Sequence, residues 1–419
     1  MIRSVSKLVH RHAGLNWALS DQALVSGANF VTGILIARFL GIEEFGHFTL
    51  AWLVLEFALN IHGAMIITPM QSISAKYSGE NSQRYFGSLI TSQITLGVTC
   101  GILLYFSVLA FDHLFLENKY SNLALPMAVA LLALGVQYFM RRYAFTRDAP
   151  LAAFASDFLR YALQLGGLLW MFKSNDLDPG HALLVISLAA LISLLPGMGL
   201  FWPVKLNREV LTQMLRRHWD FSKWLIPSIM LTWTLYNLFM AAAGAMLGAA
   251  AVGGIRAAQN IVAISHILIL GLENIVPIMA ARHFARDGSA GLTRYLLRFT
   301  FFGALAMGLI IVAVSIAPDY LLHVIYGDEF KGQGYLVRWW CAIYLFEFLA
   351  IPAQMGLRTI EDTRPIFLQN LYLSGFSMLI CYPLIATFDK IGVMVGLTAL
   401  AGLKCAILTF YFRKRVRAL

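Results

Sequence analysis

Eight ionisable residues of this 419-residue chain lie inside long apolar stretches. A charge at the middle of a membrane helix costs at least about 2.5–3.5 kcal/mol on insertion scales, so each is a candidate functional group. Carboxylates in such places can take up a proton or a cation, and guanidinium groups bind phosphate oxygens in pairs. The acids are Asp21, Glu56, Asp157, Glu273 and Glu347; the bases are Arg160, Arg256 and Lys404, with Arg38 near one end of the first stretch.

The positions of these residues separate them further. Glu56 and Glu347 lie near the middle of their stretches, which favours a proton or cation site at each. Asp157 and Arg160 are three residues apart on one helix face, so they either neutralise each other or belong to a site. Arg38 and Arg256 either bind a ligand or extend outward to the membrane surface, and the pattern leaves both readings open.

The elements that must position these charges are membrane helices. Hydrophobic residues make up 59% of the chain, charged residues 13%, and the mean hydropathy is +0.70, which predicts an all-α polytopic membrane protein. The runs are too long for the ten-residue alternation of a β-barrel. We predict twelve transmembrane helices, at 16–40, 45–71, 86–110, 122–140, 150–172, 181–202, 221–246, 250–280, 295–317, 336–356, 366–387 and 391–412.

The net charge of +10 follows membrane topology. With the N-terminus inside, 23 of the 32 Lys and Arg residues fall in inner segments and four fall in outer loops. This asymmetry predicts cytoplasmic termini and argues against a nucleic-acid partner. Residues 1–16 are basic and polar without a signal-peptide pattern, so we expect them to stay in the cytoplasm. The four cysteines have no metal-ligand spacing, and we expect no metal site.

A repeat organises these helices. Residues 37–51, ARFLGIEEFGHFTLA, return about half a chain later as residues 244–258, GAMLGAAAVGGIRAA, with Leu-Gly and a later Gly in register. Asp112-His-Leu and Asp319-Tyr-Leu match at the same separation. Two matches at one separation indicate a duplication.

Six spans per half is an even number, so both halves enter the membrane in the same direction, as in a parallel repeat. We predict an N-terminal six-helix bundle at 1–202, a cytoplasmic linker at 203–220 and a C-terminal six-helix bundle at 221–419. The linker is either a short amphipathic helix on the inner leaflet or a solvated connection.

Three segments carry a resemblance to a known family. The turns LGIEEFG and LGAAAVG resemble the repeated LG-x-x-x-x-G turns of polysaccharide flippases in the multidrug/oligosaccharidyl-lipid/polysaccharide exporter superfamily. Residues 317–338, APDYLLHVIYGDEFKGQGYLVR, are similar to the family's segment around its ninth and tenth spans. Residues 357–365, LRTIEDTRP, and their counterpart at 143–150 are the third match.

The resemblance implies a V-shaped pair of bundles that alternates between inward- and outward-open forms. Its implied cargo is an undecaprenyl-diphosphate-linked oligosaccharide, moved from the inner to the outer leaflet of the bacterial inner membrane for O-antigen, capsule or exopolysaccharide assembly. Lipid II flippases of this superfamily carry two further C-terminal helices, so we expect another cargo. The expected partners are the lipid-linked oligosaccharide, membrane lipids and other polysaccharide-assembly membrane proteins.

A cationic cleft is the mechanism that this cargo suggests. The diphosphate would contact Arg160 and Arg256, supported by Lys404 and Arg38, because the planar guanidinium fork suits phosphate. The coupling ion, H⁺ or Na⁺, would bind at the acids, and no other cofactor and no catalytic residue is expected. The alternatives are an ion-coupled multidrug exporter of the same superfamily and, from another class, a membrane polysaccharide polymerase, which usually keeps a large outer loop. A pure assembly scaffold would have no reason to retain so many mid-span charges.

The charge count makes a topology prediction. Reporter fusions after Thr146, Leu211 and Ser289 should report the cytoplasm, and fusions after Asn118, Asn175 and Gly332 should report the outer side. An outer-side signal at Ser289 would contradict the twelve-helix topology, because the eighth span would then cross twice or not at all.

Overall fold

The computed structural model describes residues 2–115, 119–201, 205 and 207–418, with their side chains except at 2–16, 18, 19, 75, 115, 201, 264–275 and 278. Every regular element within these ranges is helical. The α-helices are α1 (Ile2–His62), α2 (Thr68–Ile73), α3 (Gly79–Phe115), α4 (Ala124–Thr146), α5 (Pro150–Lys173), α6 (Pro179–Ile192), α7 (Arg208–Leu247), α8 (Ala249–Val262), α9 (Ile264–Ile316), α10 (Pro318–Tyr326), α11 (Gly334–Thr359) and α12 (Arg364–Arg417). A π-helical turn at Gly63–Ile67 joins α1 to α2, and 3₁₀ turns lie at Ser74–Lys76, Ser121–Leu123, Leu195–Phe201 and Asp328–Phe330.

Three of the long helices are interrupted at a single residue. The breaks fall at Gly41 in α1, Gly288 in α9 and Asp389 in α12, each with a positive φ angle. Each break divides one long helix into two segments. With α8 and the first part of α9 taken as one segment and the short α2 and α10 left out, the described helices give twelve segments, as the sequence predicts. In the described part of the chain, eight helices are long and apolar enough to cross a membrane. The predicted all-α fold is confirmed.

The duplication is visible in backbone angles. Gly41 has φ 79° and ψ 177°, and Gly248, its counterpart in the sequence repeat, has φ 85° and ψ 174°. A residue with a side chain is strained at such angles, whereas glycine is not. Both copies of the Leu-Gly pair therefore end one helix segment and begin the next.

The second sequence match also has a structural counterpart. Asp112 accepts hydrogen bonds from the backbone N–H of Tyr120 at 2.9 Å and the hydroxyl of Ser121 at 2.5 Å. Its partner in the repeat, Asp319, accepts from the N–H of Gly334 at 2.8 Å. Each carboxylate thus binds the chain shortly before, or at the start of, the next membrane helix.

The ends of α4 and α11 share a third device. Asp148 has φ 54° and Glu361 has φ 61°, and each is followed by an N–H that reaches back to a helix carbonyl. The Ala149 N–H donates to Ala144 O at 2.9 Å, and the Asp362 N–H donates to Leu357 O at 3.0 Å. This 6→1 hydrogen bond is the Schellman C-cap.

The chain forms two compact units, one of residues 1–40 and 51–230 and one of residues 41–50 and 231–419. Within the predicted linker at 203–220, the residues from Arg208 onward are helical and belong to α7. Met214 is buried with Tyr85 and Tyr143 in the core of the first unit. The segment is therefore a helical extension of the seventh span, and its residue Met214 packs in the core of the first unit.

Residues 41–50 pack within the second unit because the two repeated turns contact each other there. A methyl group added at Gly46 would overlap the Ala249 carbonyl, and one at Gly253 would overlap the Ile42 carbonyl. The helix segments that start at these turns therefore touch backbone to backbone. The turn that precedes α11 adds a cap, since Glu329 Oε2 accepts the Ile42 N–H at 2.8 Å.

Asp328, the residue before Glu329, is held by an ion pair. Lys331 hydrogen-bonds to Asp328 and keeps the pKa of that exposed carboxyl below its usual value. The Gly-Asp-Glu-Phe segment that resembles the flippase family is therefore a structural turn. Its Glu329 side chain accepts the capping hydrogen bond from Ile42.

We expect Gly46→Ala and Gly253→Ala to destabilise the protein by about 1–3 kcal/mol, because the methyl group has no room between two backbones. The measurement is thermal unfolding of the purified protein in detergent. Gly308→Ala is the matched control, since the space around this helical glycine of the same unit is open. Equal melting temperatures for Gly46→Ala and Gly308→Ala would rule out the close backbone contact.

Candidate functional site

Charged residues from three helices of the first unit converge on one guanidinium group. Arg141 of α4 contacts Asp21 of α1, with Nη2 2.5 Å from Oδ2. The same side chain contacts Asp157 of α5, with Nε 2.6 Å from Oδ2. Both carboxylates are buried, at 0% and 1% exposure, and Arg141 is 15% exposed. Two buried acids therefore share one base.

A glutamine extends this cluster to a second guanidinium. Gln137, one turn before Arg141 on α4, donates to Asp157 Oδ1 at 2.6 Å and accepts from Arg160 Nη1 at 2.9 Å. Asp157 and Arg160 are thus linked through an amide. We name Asp21, Gln137, Arg141, Asp157 and Arg160 the first ionic cluster.

Aromatic rings hold the far side of Arg160. Its guanidinium carbon lies 5.5 Å from the centre of the Tyr138 ring and 4.9 Å from that of Tyr161. Arg160 is only 3% exposed, and its Nε has no hydrogen-bond partner among the described residues. The same holds for Asp21 Oδ1. Arg160 Nε and Asp21 Oδ1 are thus a donor and an acceptor of the cluster that a ligand could use.

Two hydrogen bonds between α1 and α5 explain why Asp21 and Asp157 face the same base. Tyr161 donates to Asn29 Oδ1 at 3.1 Å, and Gln164 donates to Thr32 Oγ1 at 2.8 Å. Together with the pair of acids, these contacts form a polar seam along both helices. In lipid such interhelical hydrogen bonds substitute for the hydrophobic driving force that helices have in water.

The second unit holds a smaller cluster. Lys404 Nζ of α12 lies 2.6 Å from Glu347 Oε2 of α11 and 2.7 Å from the Tyr236 hydroxyl of α7. The side chains of Lys404 and Glu347 are 10% and 27% exposed. We name these three residues the second ionic cluster. It joins a predicted phosphate ligand to a predicted ion-coupling acid.

The other predicted site residues lie outside both clusters. Arg256 of α8 is half-buried, and its Nη1 donates to Gln259 Oε1 at 2.7 Å. Arg38 is exposed just before the break in α1, and Glu56 is half-buried on the second part of that helix. The side chain of Glu273 lies outside the described residues.

Sequence reasoning missed three members of the clusters. Arg141 lies at the inner end of a predicted span, so it counts as one of the positive charges that mark the cytoplasmic side. Gln137 and Tyr236 are uncharged, so the search for mid-span charges passes over them. The one available signal was the i, i+4 spacing of Gln137 and Arg141, which puts both side chains on one face of α4.

Two cavities in the described part of the chain are separate from both clusters. One, of about 400 Å³, lies in the first unit and is lined by Gln71, Tyr77, Phe86 and Arg147 among others. Another, of about 460 Å³, lies in the second unit beside Tyr335 and Lys390. Within the described residues, no group of three or more His, Cys, Asp or Glu could hold a metal ion.

This fold and these clusters define a class of polytopic helical membrane proteins, and comparison with known proteins narrows it. Residues 225–385 match the MatE family model, which covers less than half of the chain. No curated protein matches the sequence.

Solved structures share the fold over nearly the whole length. An inward-facing multidrug resistance MATE family transporter of the MOP superfamily matches with a TM-score of 0.75 and 13% identity, over 93% of this chain and 94% of that one. The lipid II flippase MurJ matches with a TM-score of 0.71 and 13% identity, over 94% and 87%. A MOP superfamily transporter from Pyrococcus furiosus matches with a TM-score of 0.60 and 16% identity, over 98% and 95%. The chain therefore has the fold of MOP superfamily transporters.

Removing Arg141 should leave two buried carboxylates without their shared partner. We expect Arg141→Ala to destabilise the purified protein by about 3–5 kcal/mol, as for other broken buried ion pairs. Arg142→Ala is the matched control, because this neighbouring arginine is exposed and its loss should change stability by less than about 0.5 kcal/mol. Thermal unfolding in detergent measures both, and similar losses for the two variants would contradict the shared-base arrangement.

Proposed function

We propose that the chain is a flippase for an undecaprenyl-diphosphate-linked oligosaccharide. It moves this cargo from the inner to the outer leaflet of the bacterial inner membrane by alternating access, for assembly of a surface polysaccharide. Both termini face the cytoplasm, as the asymmetry of basic residues favours. The structural likeness to the lipid II flippase MurJ supports a lipid-linked cargo.

The observation that carries the proposal is the buried Arg160. A lipid diphosphate must cross with its charge shielded from hydrocarbon, while its polyprenyl tail can stay in lipid. A fixed guanidinium inside the membrane answers this need, because it stays charged when buried and binds phosphate oxygens in pairs. Arg160 is 3% exposed in the present conformation, so the diphosphate contacts it at another stage of the cycle.

Arg256 and Arg38 complete the proposed cationic path. Arg256 is half-buried and held by Gln259, and Arg38 is exposed near the break in α1. The proposed partners are the lipid-linked oligosaccharide, membrane lipids and other membrane proteins of polysaccharide assembly.

The first ionic cluster is the proposed coupling site. Asp21 and Asp157 compete for Arg141, so a proton or Na⁺ on one carboxylate leaves Arg141 to the other. Such an exchange shifts the contact between α1 and α5, the helices that carry these acids. Glu56 and Glu273 stay predicted coupling residues, and no other cofactor is proposed.

A multidrug exporter is the second candidate function. The observation that favours it is the TM-score of 0.75 to a multidrug resistance transporter. An exporter of apolar cations needs an acid in its path and has little use for buried arginines, whereas a diphosphate carrier needs those arginines. The role of Arg160 therefore separates the two functions.

The test is a deletion strain scored for surface polysaccharide and for drug sensitivity. We expect loss of a surface polysaccharide, full restoration by the wild-type gene, and none by Arg160→Ala at equal protein level. Arg160→Lys should restore only part, because the ammonium is a point charge without the guanidinium fork. Arg142→Ala is again the control and should restore fully. Normal polysaccharide with increased drug sensitivity would instead identify an exporter.

A further inference from the structure

The second ionic cluster places a cation inside the protein. Lys404 lies midway along the last segment of α12, Glu347 lies at the middle of α11, and both are far from either end of their helices. The ammonium group contacts one carboxylate oxygen and one phenol oxygen at 2.6 and 2.7 Å. Oxygen atoms are also the ligands that replace the hydration shell of a monovalent metal ion in a protein. The ammonium group thus occupies a place that suits a small cation.

The burial of the pair argues against Lys404 as a ligand for the cargo. Its side chain is 10% exposed, while that of Glu347 is 27% exposed. The carboxylate is therefore the more accessible partner and shields the ammonium group. An incoming phosphate would meet a negative charge first and would have to displace it from Lys404. A cationic phosphate site would show the reverse order.

We propose that Lys404 is the resident counter-ion of Glu347, bound in the place that an alkali cation would otherwise take. Glu347 and Tyr236 then form a monovalent-cation site that opens only when the ammonium group is removed. This assignment replaces the predicted roles of Lys404 in phosphate binding and of Glu347 in ion coupling. Its consequence for transport rests on the proposed function: Glu347 leaves the set of coupling acids, and Asp21 and Asp157 stay the proposed coupling site.

The test needs no cargo, so its result is independent of the proposed function. The full-length protein is purified in detergent, and its melting temperature is measured in NaCl, KCl and choline chloride at constant ionic strength. We expect Lys404→Met to gain a saturable rise of about 5 °C in NaCl or KCl over choline chloride, through binding to the folded state. The double variant Lys404→Met/Glu347→Gln should lose this gain.

Lys390→Met is the matched control. Lys390 lies on the same helix and contacts the amide of Gln333 at 3.4 Å instead of a carboxylate. Its replacement should leave the response to NaCl and KCl as in the wild type. A wild-type response to these salts that Glu347→Gln abolishes would overturn the proposal, since Glu347 would then bind an external cation with Lys404 in place. Equal salt responses of Lys404→Met and the wild type would also overturn it.

A second comparison, of melting temperatures in choline chloride, tests the proposal even where a single variant is too unstable for the salt series. An unpaired buried carboxylate or ammonium group is costly, whereas a neutral pair is not. We therefore expect the double variant to melt roughly 5–10 °C above either single variant in choline chloride. A double variant no more stable than the singles would show that Lys404 and Glu347 do not compensate each other.

Discussion

A charge in the apolar part of a membrane protein must be compensated by groups on neighbouring helices. Lipid tails are as apolar as leucine, so apolar contact alone gives membrane helices little preference for one partner over another. The first ionic cluster supplies that preference for α1, α4 and α5, because Arg141 binds Asp21 and Asp157 at once. The second ionic cluster supplies the same preference for α7, α11 and α12 through Lys404. Within each unit, these few contacts therefore favour the packing of these particular helices against one another.

Much of the fold could be predicted because its signals are local. Apolar runs mark the helices, and the paired Leu-Gly turns mark where two of them break, since only glycine accepts the φ angles of Gly41 and Gly248 without strain. The break at Asp389 was predicted only as a gap between two apolar runs. The candidate site was harder, because its contacts join distant residues. Asp157 has a nearby base at Arg160, yet it binds Arg141 of another helix, and no local spacing reveals that choice.

The motifs that carry the family resemblance have structural roles. The Gly of each turn permits close backbone contact, Glu329 caps a helix, and the end of α11 is a Schellman cap that recurs at the end of α4. These are requirements of the backbone and place no demand on what is transported. Such motifs therefore bear on the fold, which solved transporters share at 13% identity, and leave the cargo to other residues.

The duplication preserved the backbone and did not preserve the charges. At the separation that aligns Gly41 with Gly248, Asp21 falls on Ser228 and Glu347 falls on Met140, so neither acid has an acidic counterpart. The two clusters therefore differ in their balance of charge. In the second, one acid contacts one base. In the first, two acids contact Arg141, and the remaining positive charge reaches Asp157 only through Gln137. In the proposed cycle, a phosphate that draws Arg160 away from Gln137 would weaken this compensation, and a proton or cation would then be favoured on a carboxylate. The linkage between cargo and ion would follow from the Gln137 amide, which bonds to both Arg160 and Asp157.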